Sequence, residues 1–276
     1  MIEKIGQVDW QKPWLAPLLA QATVVLEAPE WRAALNQLAE KSGLRNHRGL
    51  PVHFVPQSDL REDMAYEAFI SDTGGVPTRD NLHDFFNAMI WLRYPRIKVE
   101  LNRLQAAEIA RSDTGARVAG KRGALRDGAT IFDENAALFI TADVELADFL
   151  RAHHWDALFV AQRARFLKNV QVSLFGHALI EKLVAPYKAI TAHAWIILVD
   201  PGFSTLSPVE QRGWVDGHVA QRIAGGLSTS DFTPLPVVGV PGWMQDQHAE
   251  FYADKNVFRP KRELVTGQVR SSSLGK

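Results

Sequence analysis

The chain contains no cysteine. That excludes disulfides, thiolate metal centres and cysteine nucleophiles together, and it fits a reducing compartment. Net charge is also missing: 31 basic and 31 acidic side chains cancel. No global field therefore draws the protein to nucleic acid or to an anionic membrane, and any electrostatic partner must be sought locally. Long hydrophobic runs are absent as well. The longest uninterrupted apolar run covers residues 194–199, far short of the ~20 residues a spanning helix needs. An apolar stretch at residues 13–26 faintly resembles a signal peptide. Its flank lacks net positive charge, with Glu3, Lys4, Asp9 and Lys12 cancelling, and Pro13 and Pro17 interrupt it. The expectation is a soluble cytoplasmic protein with no membrane partner.

Several catalytic signatures are missing too. There is no GxGxxG and no Walker pattern, and Gly202-Phe203-Ser204 lacks the second glycine of a nucleophile elbow. No repeat period or low-complexity linker divides the chain.

What is present is ordinary globular composition, 46% hydrophobic and 22% charged over 276 residues. Helical patterning dominates. Leu82, Phe85, Phe86, Met89 and Ile90 fall at i, i+3, i+4, i+7 and i+8, a single apolar face, with Asp80 or Asn81 as cap and Pro95 as stop. A second helix from Pro95 carries Ile97, Leu101 and Leu104. Further helices are expected over residues 12–21, 29–41, 144–150, 155–169 and 175–183. Ser207-Pro208-Val209-Glu210 opens another as a capping box with proline in the first turn. Short strands are expected at 52–55, 66–70 and 196–199. Residues 129–141 suggest a strand, a turn at Asp133-Glu134-Asn135, and a further strand or helix. From Asp231 a proline- and aromatic-rich segment is expected to run extended. The sum is an α+β fold: one helix-dominated domain over residues 1–265 with a few short strands, and a disordered tail at 266–276.

The residues that packing does not explain are the candidates for chemistry. His83 and Asn87 lie four apart on a second stripe of the Leu82 helix. They can converge on one ligand, or they can tie the helix to neighbouring carbonyls. His177 and Glu181 are also four apart, a spacing that suits two metal ligands, with His193 as a third. No strict metal signature surrounds them, and no metal site is assigned. Asp127, Asp133 and Glu134 offer carboxylates beside Arg122 and Arg126, for acid–base work or for turn geometry. Residues 93–126 hold nine basic side chains against three acidic ones, the one sizeable charge asymmetry in a neutral chain. That segment can serve a phosphate, nucleic acid or anionic metabolite, or be a solvated face.

Four motifs carry a family resemblance: VPTRDNLHDFFNAMIWLRYPRIKVELN, RDGATIFDEN, FGHALIEKLVAPYKAITAHAW, and PLPVVGVPGW with FYADKNVFRPKRE. Together they span roughly residues 66–263, and the chain resembles a bacterial family known as domain of unknown function 3025. It departs at Gly128-Ala129, where RDALT is expected, which bears on local packing. The resemblance implies a soluble bacterial protein and brings no activity with it.

The leading expectation is an enzyme, hydrolase-like, with a polar pocket lined by His83, Asn87, Asp127 and His177. In it His83 acts as base or orienter and Asp127 as acid or orienter, while Lys98, Arg122 or Arg126 holds an anionic group. The cofactor is left unspecified, and the ligand is a small molecule or an anion. The alternatives are a nucleic-acid or anion-binding module built on the basic segment, and a protein-interaction scaffold using PLPVVGVPGW, since extended proline-rich chain binds at low entropy cost.

Overall fold

A computed structural model describes residues 5–113 and 121–261. At its centre are two adjacent parallel strands, β3 (Ala136–Thr141) and β5 (Thr191–Leu198), in register Ala136↔His193 through Thr141↔Leu198. Antiparallel strands flank them, and the sheet order is β4-β3-β5-β6, where β4 is Val170–Leu174 and β6 Thr233–Pro236. Every residue of β3 (AALFIT) is buried. A continuous apolar run is what a strand covered on both faces requires. A separate parallel pair, β1 (His53–Val55) and β2 (Gly75–Pro77), lies away from this sheet.

The helices numbered α1 (Leu19–Leu26), α2 (Trp31–Lys41), α3 (Tyr66–Thr73), α4 (Leu82–Arg93), α5 (Pro95–Asp113) and α6 (Lys121–Asn135) precede β3. α7 (Val144–Ala152), α8 (Arg163–Asn169) and α9 (His177–Lys182) lie between β3 and β5, and α10 (Pro208–Ile223) follows β5. Among these, α4 contacts α9 and α5, while α5 also contacts α3, α6 and α10. α4 differs from the single-faced helix its spacing suggests. Asp84 through Trp91 are all buried, so it runs through the core rather than along it. Its start is as expected: the Asn81 side chain accepts the Asp84 N–H at 2.7 Å. The first free N–H groups of α5, those of Arg96 and Ile97, are capped from another element, by the buried carboxylate of Asp216 on α10 at 3.1 and 3.0 Å. The Ser207–Glu210 capping box of α10 forms as read.

Four expectations are corrected. Residues 66–70 are helical, because Tyr66, Phe69 and Ile70 keep an i, i+3, i+4 spacing that carries α3 to Thr73. That helix closes on Gly74 at φ +76, where a Cβ would sit 2.2 Å from the Pro51 carbonyl oxygen. The expected turn at 133–135 is instead the last turn of α6, and β3 begins at the next residue. Residues 155–169 are broken by a wide π-type turn, Asp156–Ala161, before α8. The segment after Asp231 is extended only in part, since a short helix forms at Ala249–Tyr252. The expected tail at 266–276 lies outside the described residues. Among the described residues no helix is long and apolar enough to cross a membrane.

Candidate functional site

His83 lies in the first turn of α4 and His177 at the first position of α9, and these helices pack together. The two Nε2 atoms are 3.0 Å apart, with the rings edge to face. Behind His83, Nδ1 meets Glu181 Oε2 at 3.1 Å. A carboxylate only accepts, so it fixes the proton on Nδ1 and leaves the Nε2 lone pair facing His177. The third group is Glu134 of α6, whose Oε2 is 3.5 Å from His177 Nε2. One nitrogen or oxygen from each of His83, His177 and Glu134 falls within a 4.8 Å cluster. The three residues are therefore a donor set able to hold a metal ion.

Gly176 makes this approach possible. Its backbone is ordinary (φ −62, ψ 115), but a Cβ there would lie 2.4 Å from Asn135 N and 2.5 Å from the Glu134 carbonyl oxygen. Only glycine lets the start of α9 come so close to the end of α6.

His83, His177 and Glu134 line a cavity of about 390 Å³ together with Tyr66, Glu67, Arg79, Asn87 and Asp133. Beneath it runs a buried polar chain. Lys98 Nζ donates to Asp133 Oδ1 at 2.5 Å and to Asn87 Oδ1 at 2.9 Å, and Asn87 Nδ2 donates to the Tyr66 hydroxyl at 3.1 Å. Asn102 Nδ2 holds Glu67 Oε2 at 2.6 Å.

The protonation states follow from these surroundings. Burial pushes the His177 pKa down to about 4, so the ring is neutral near pH 7, with Asp133 opposing the shift and Lys98 adding to it. Burial alone would raise the Asp133 carboxyl. The charge of Lys98, joined by His177 only in the acid range where its ring is protonated, overcomes it and holds the group below the usual carboxylate range. Glu67 has no cation in contact. Burial, then the Asp133 charge, push it up to about 7 against Lys98 and the Asn102 hydrogen bond. Glu134 is raised by burial and then by Asp133.

Of the residues singled out from sequence, His83, Asn87 and His177 line this one cavity. Asp127 does not. It is exposed on α6, seven residues and roughly 10 Å along the axis from Glu134. Lys98 is buried, and its charge is spent on Asp133. Arg126 is exposed and outside the cavity lining, and the Arg122 side chain lies outside the described residues. His193 packs edge-on against Phe232 in β5, apart from the cluster. Glu181 supports His83 and is not among the three clustered donors. Glu67 and Tyr66 are the residues that sequence reasoning missed. The signal that would have found them is the helical spacing of Tyr66, Phe69 and Ile70, which places both at the start of a helix packed against α5. Part of the basic segment is paired where it is described: besides Lys98 with Asp133, two arginines meet carboxylates and one a carbonyl. Arg93 donates to the Pro17 carbonyl, Arg103 pairs with Glu100, and Arg111 pairs with Glu108.

The fold and this cavity define an α+β domain with a partly buried cluster of two imidazoles and a carboxylate where α4, α6 and α9 meet. The chain belongs to the family described as Protein of unknown function (DUF3025), whose model matches residues 52–262 and so takes in every residue of the cluster. No curated protein and no solved structure matches it.

Proposed function

We propose that the protein is a hydrolytic enzyme acting on a small polar molecule held in the cavity between α3, α4 and α6. The observation that carries this reading is the convergence of His83 Nε2, His177 Nε2 and the Glu134 carboxylate at one wall of that cavity. Two imidazole nitrogens and a carboxylate oxygen within 4.8 Å of one another can polarise a water molecule beside them and draw off its proton, which makes it a nucleophile. Glu67 lines the same cavity, and its pKa of about 7 lets it give a proton to a leaving group and recover it from solvent. Arg79 is engaged by Asp84 and Lys98 by Asp133, so the cavity's cations are already paired. A neutral or cationic substrate is favoured over the anionic one suggested by the basic segment.

The test is a panel of chromogenic esters, amides and phosphate esters, run on the wild-type protein and on His177→Ala. The expected result is turnover of one ester or amide class, lost in the variant. No turnover of any class by the wild type, or turnover unchanged in His177→Ala, overturns the proposal.

A further inference from the structure

We infer that His83, His177 and Glu134 bind a single divalent transition-metal ion of the zinc class. This deepens the hydrolytic reading by naming what activates the water, yet it stands on its own geometry. Metal–nitrogen bonds of about 2.0–2.1 Å at a tetrahedral angle place two imidazole nitrogens about 3.3–3.4 Å apart; the observed 3.0 Å is a few tenths of an ångström shorter, so the rings need only a small separation to admit the ion. A carboxylate oxygen bound at about 2.1 Å, at a near-tetrahedral angle to one of those nitrogens, falls about 3.4 Å from it. Glu134 Oε2 is 3.5 Å from His177 Nε2.

The surroundings fit as well. Glu181 at 3.1 Å from His83 Nδ1 is the carboxylate that fixes tautomer and ring orientation behind a metal-bound imidazole. With its proton held there, His83 turns a lone pair toward a second imidazole nitrogen at hydrogen-bond distance. With His177 protonated on Nδ1, one cation between the two rings takes both Nε2 lone pairs at once. Two imidazoles and one carboxylate form a three-ligand set that leaves further positions open for water, and those positions face the cavity. The nitrogen ligands favour zinc, cobalt, nickel or iron over magnesium or calcium, which prefer oxygen. The absence of cysteine leaves no thiolate competitor.

The experiment uses the full chain, stripped with chelator, dialysed, and titrated with Zn²⁺ by calorimetry and with Co²⁺ by visible absorption. One equivalent is expected to bind, with d–d bands of a nitrogen- and oxygen-ligated Co²⁺ ion. His83→Gln and Glu134→Gln should each lose that binding, and Glu181→Gln should weaken it roughly 10- to 100-fold. Asp127→Asn, outside the cavity, should leave it unchanged. Circular dichroism establishes that each variant is folded, and His83 and Glu134, both partly exposed, are less disruptive to change than buried His177. A wild type that takes up no equivalent of either ion overturns the inference, as do His83→Gln and Glu134→Gln variants that bind like wild type. Turnover that survives complete metal removal sinks the metal and spares the hydrolytic reading. Tight binding by a protein that turns over no substrate does the reverse.

Discussion

Replacing Gly176 by alanine isolates one steric contact on which the site depends. The backbone at Gly176, φ −62 and ψ 115, is open to any L-residue, so the substitution carries no conformational penalty. Restricting the unfolded chain would by itself stabilise the fold by about 0.4–1 kcal/mol. Against this, the new Cβ meets Asn135 N at 2.4 Å, the Glu134 carbonyl oxygen at 2.5 Å and Ala136 N at 2.6 Å. All three are backbone atoms at the joint between α6 and β3, and they cannot rotate away as a side chain can. Restoring ordinary contact requires about 1 Å of separation between that joint and the start of α9. The joint is also pinned by Phe175 and Gly176, whose N–H groups both donate to the Ala136 carbonyl. An overpacked methyl of this kind costs about 1–3 kcal/mol, which at this chain length lowers Tm by roughly 2–10 °C. The same displacement widens the 3.5 Å gap between Glu134 and His177, so Zn²⁺ affinity should fall together with stability. Urea and thermal melts measure the first effect, and calorimetric titration of the metal-free protein measures the second. A Gly176→Ala protein within about 0.5 kcal/mol of wild type, with unchanged metal affinity, refutes the reasoning.

Three further outcomes are expected. Lys98→Ala leaves the Asp133 carboxylate buried and unpaired and should cost about 3–5 kcal/mol in urea unfolding. Lys98→Met combined with Asp133→Asn should recover most of that loss, and equal destabilisation of the single and double variants would contradict it. Glu67 is lifted from an ordinary 4.5 to about 7, so between those values the folded chain keeps a proton that the unfolded chain has released. Stability contributed at this site therefore falls as pH rises through that window. Relative to wild type, Glu67→Gln should gain up to about 3 kcal/mol across it, at 1.36 kcal/mol per pH unit; parallel stability-versus-pH curves for the two proteins would rule this out. Asp216→Ala strips the cap from Arg96 and Ile97 and should destabilise by about 1–2 kcal/mol, with Asp216→Asn losing less. Indistinguishable melts for the two variants would show that the carboxylate does not act as a cap.

What could be read in advance follows the range of the interaction that decides each element. α4 was legible because its apolar spacing and the Asn81 cap are local. The four-residue spacing of His83 and Asn87 did place both on one cavity wall. The stretch around Asp133 read as a turn because Asp and Asn favour turns. It stays helical with Asp133 held by Lys98, a partner 35 residues upstream that no local window contains. Of His177, Glu181 and His193, read together as possible ligands, only His177 falls in the cluster. Glu181 reaches across to His83, 98 residues away, and the carboxylate beside His177 is Glu134, 43 positions earlier. Glu67 was lost with the strand reading of residues 66–70, where two aromatics, Tyr66 and Phe69, and Ile70 imitate β-propensity. The DUF3025 membership was readable from motifs because the match is a matter of residue order alone.

The parallel pairing of β3 with β5 has a kinetic consequence. Ala136 and His193 are register partners 57 positions apart, and α7, α8, β4 and α9 all lie within that crossover. Contacts of such sequence separation form late, because the loop must be closed before they can reward it. β3 can pair early with nearer β4, but its other edge has to wait for β5. Pulse-labelled hydrogen exchange during refolding should find β5 amides protected after those of β4, and simultaneous protection would argue otherwise. His177 rides on the same crossover, so the cluster is among the last parts of the molecule to assemble. Until then β3, apolar from Ala136 to Ile140, presents an open edge, and a nascent or refolding chain is most exposed to self-association in that interval.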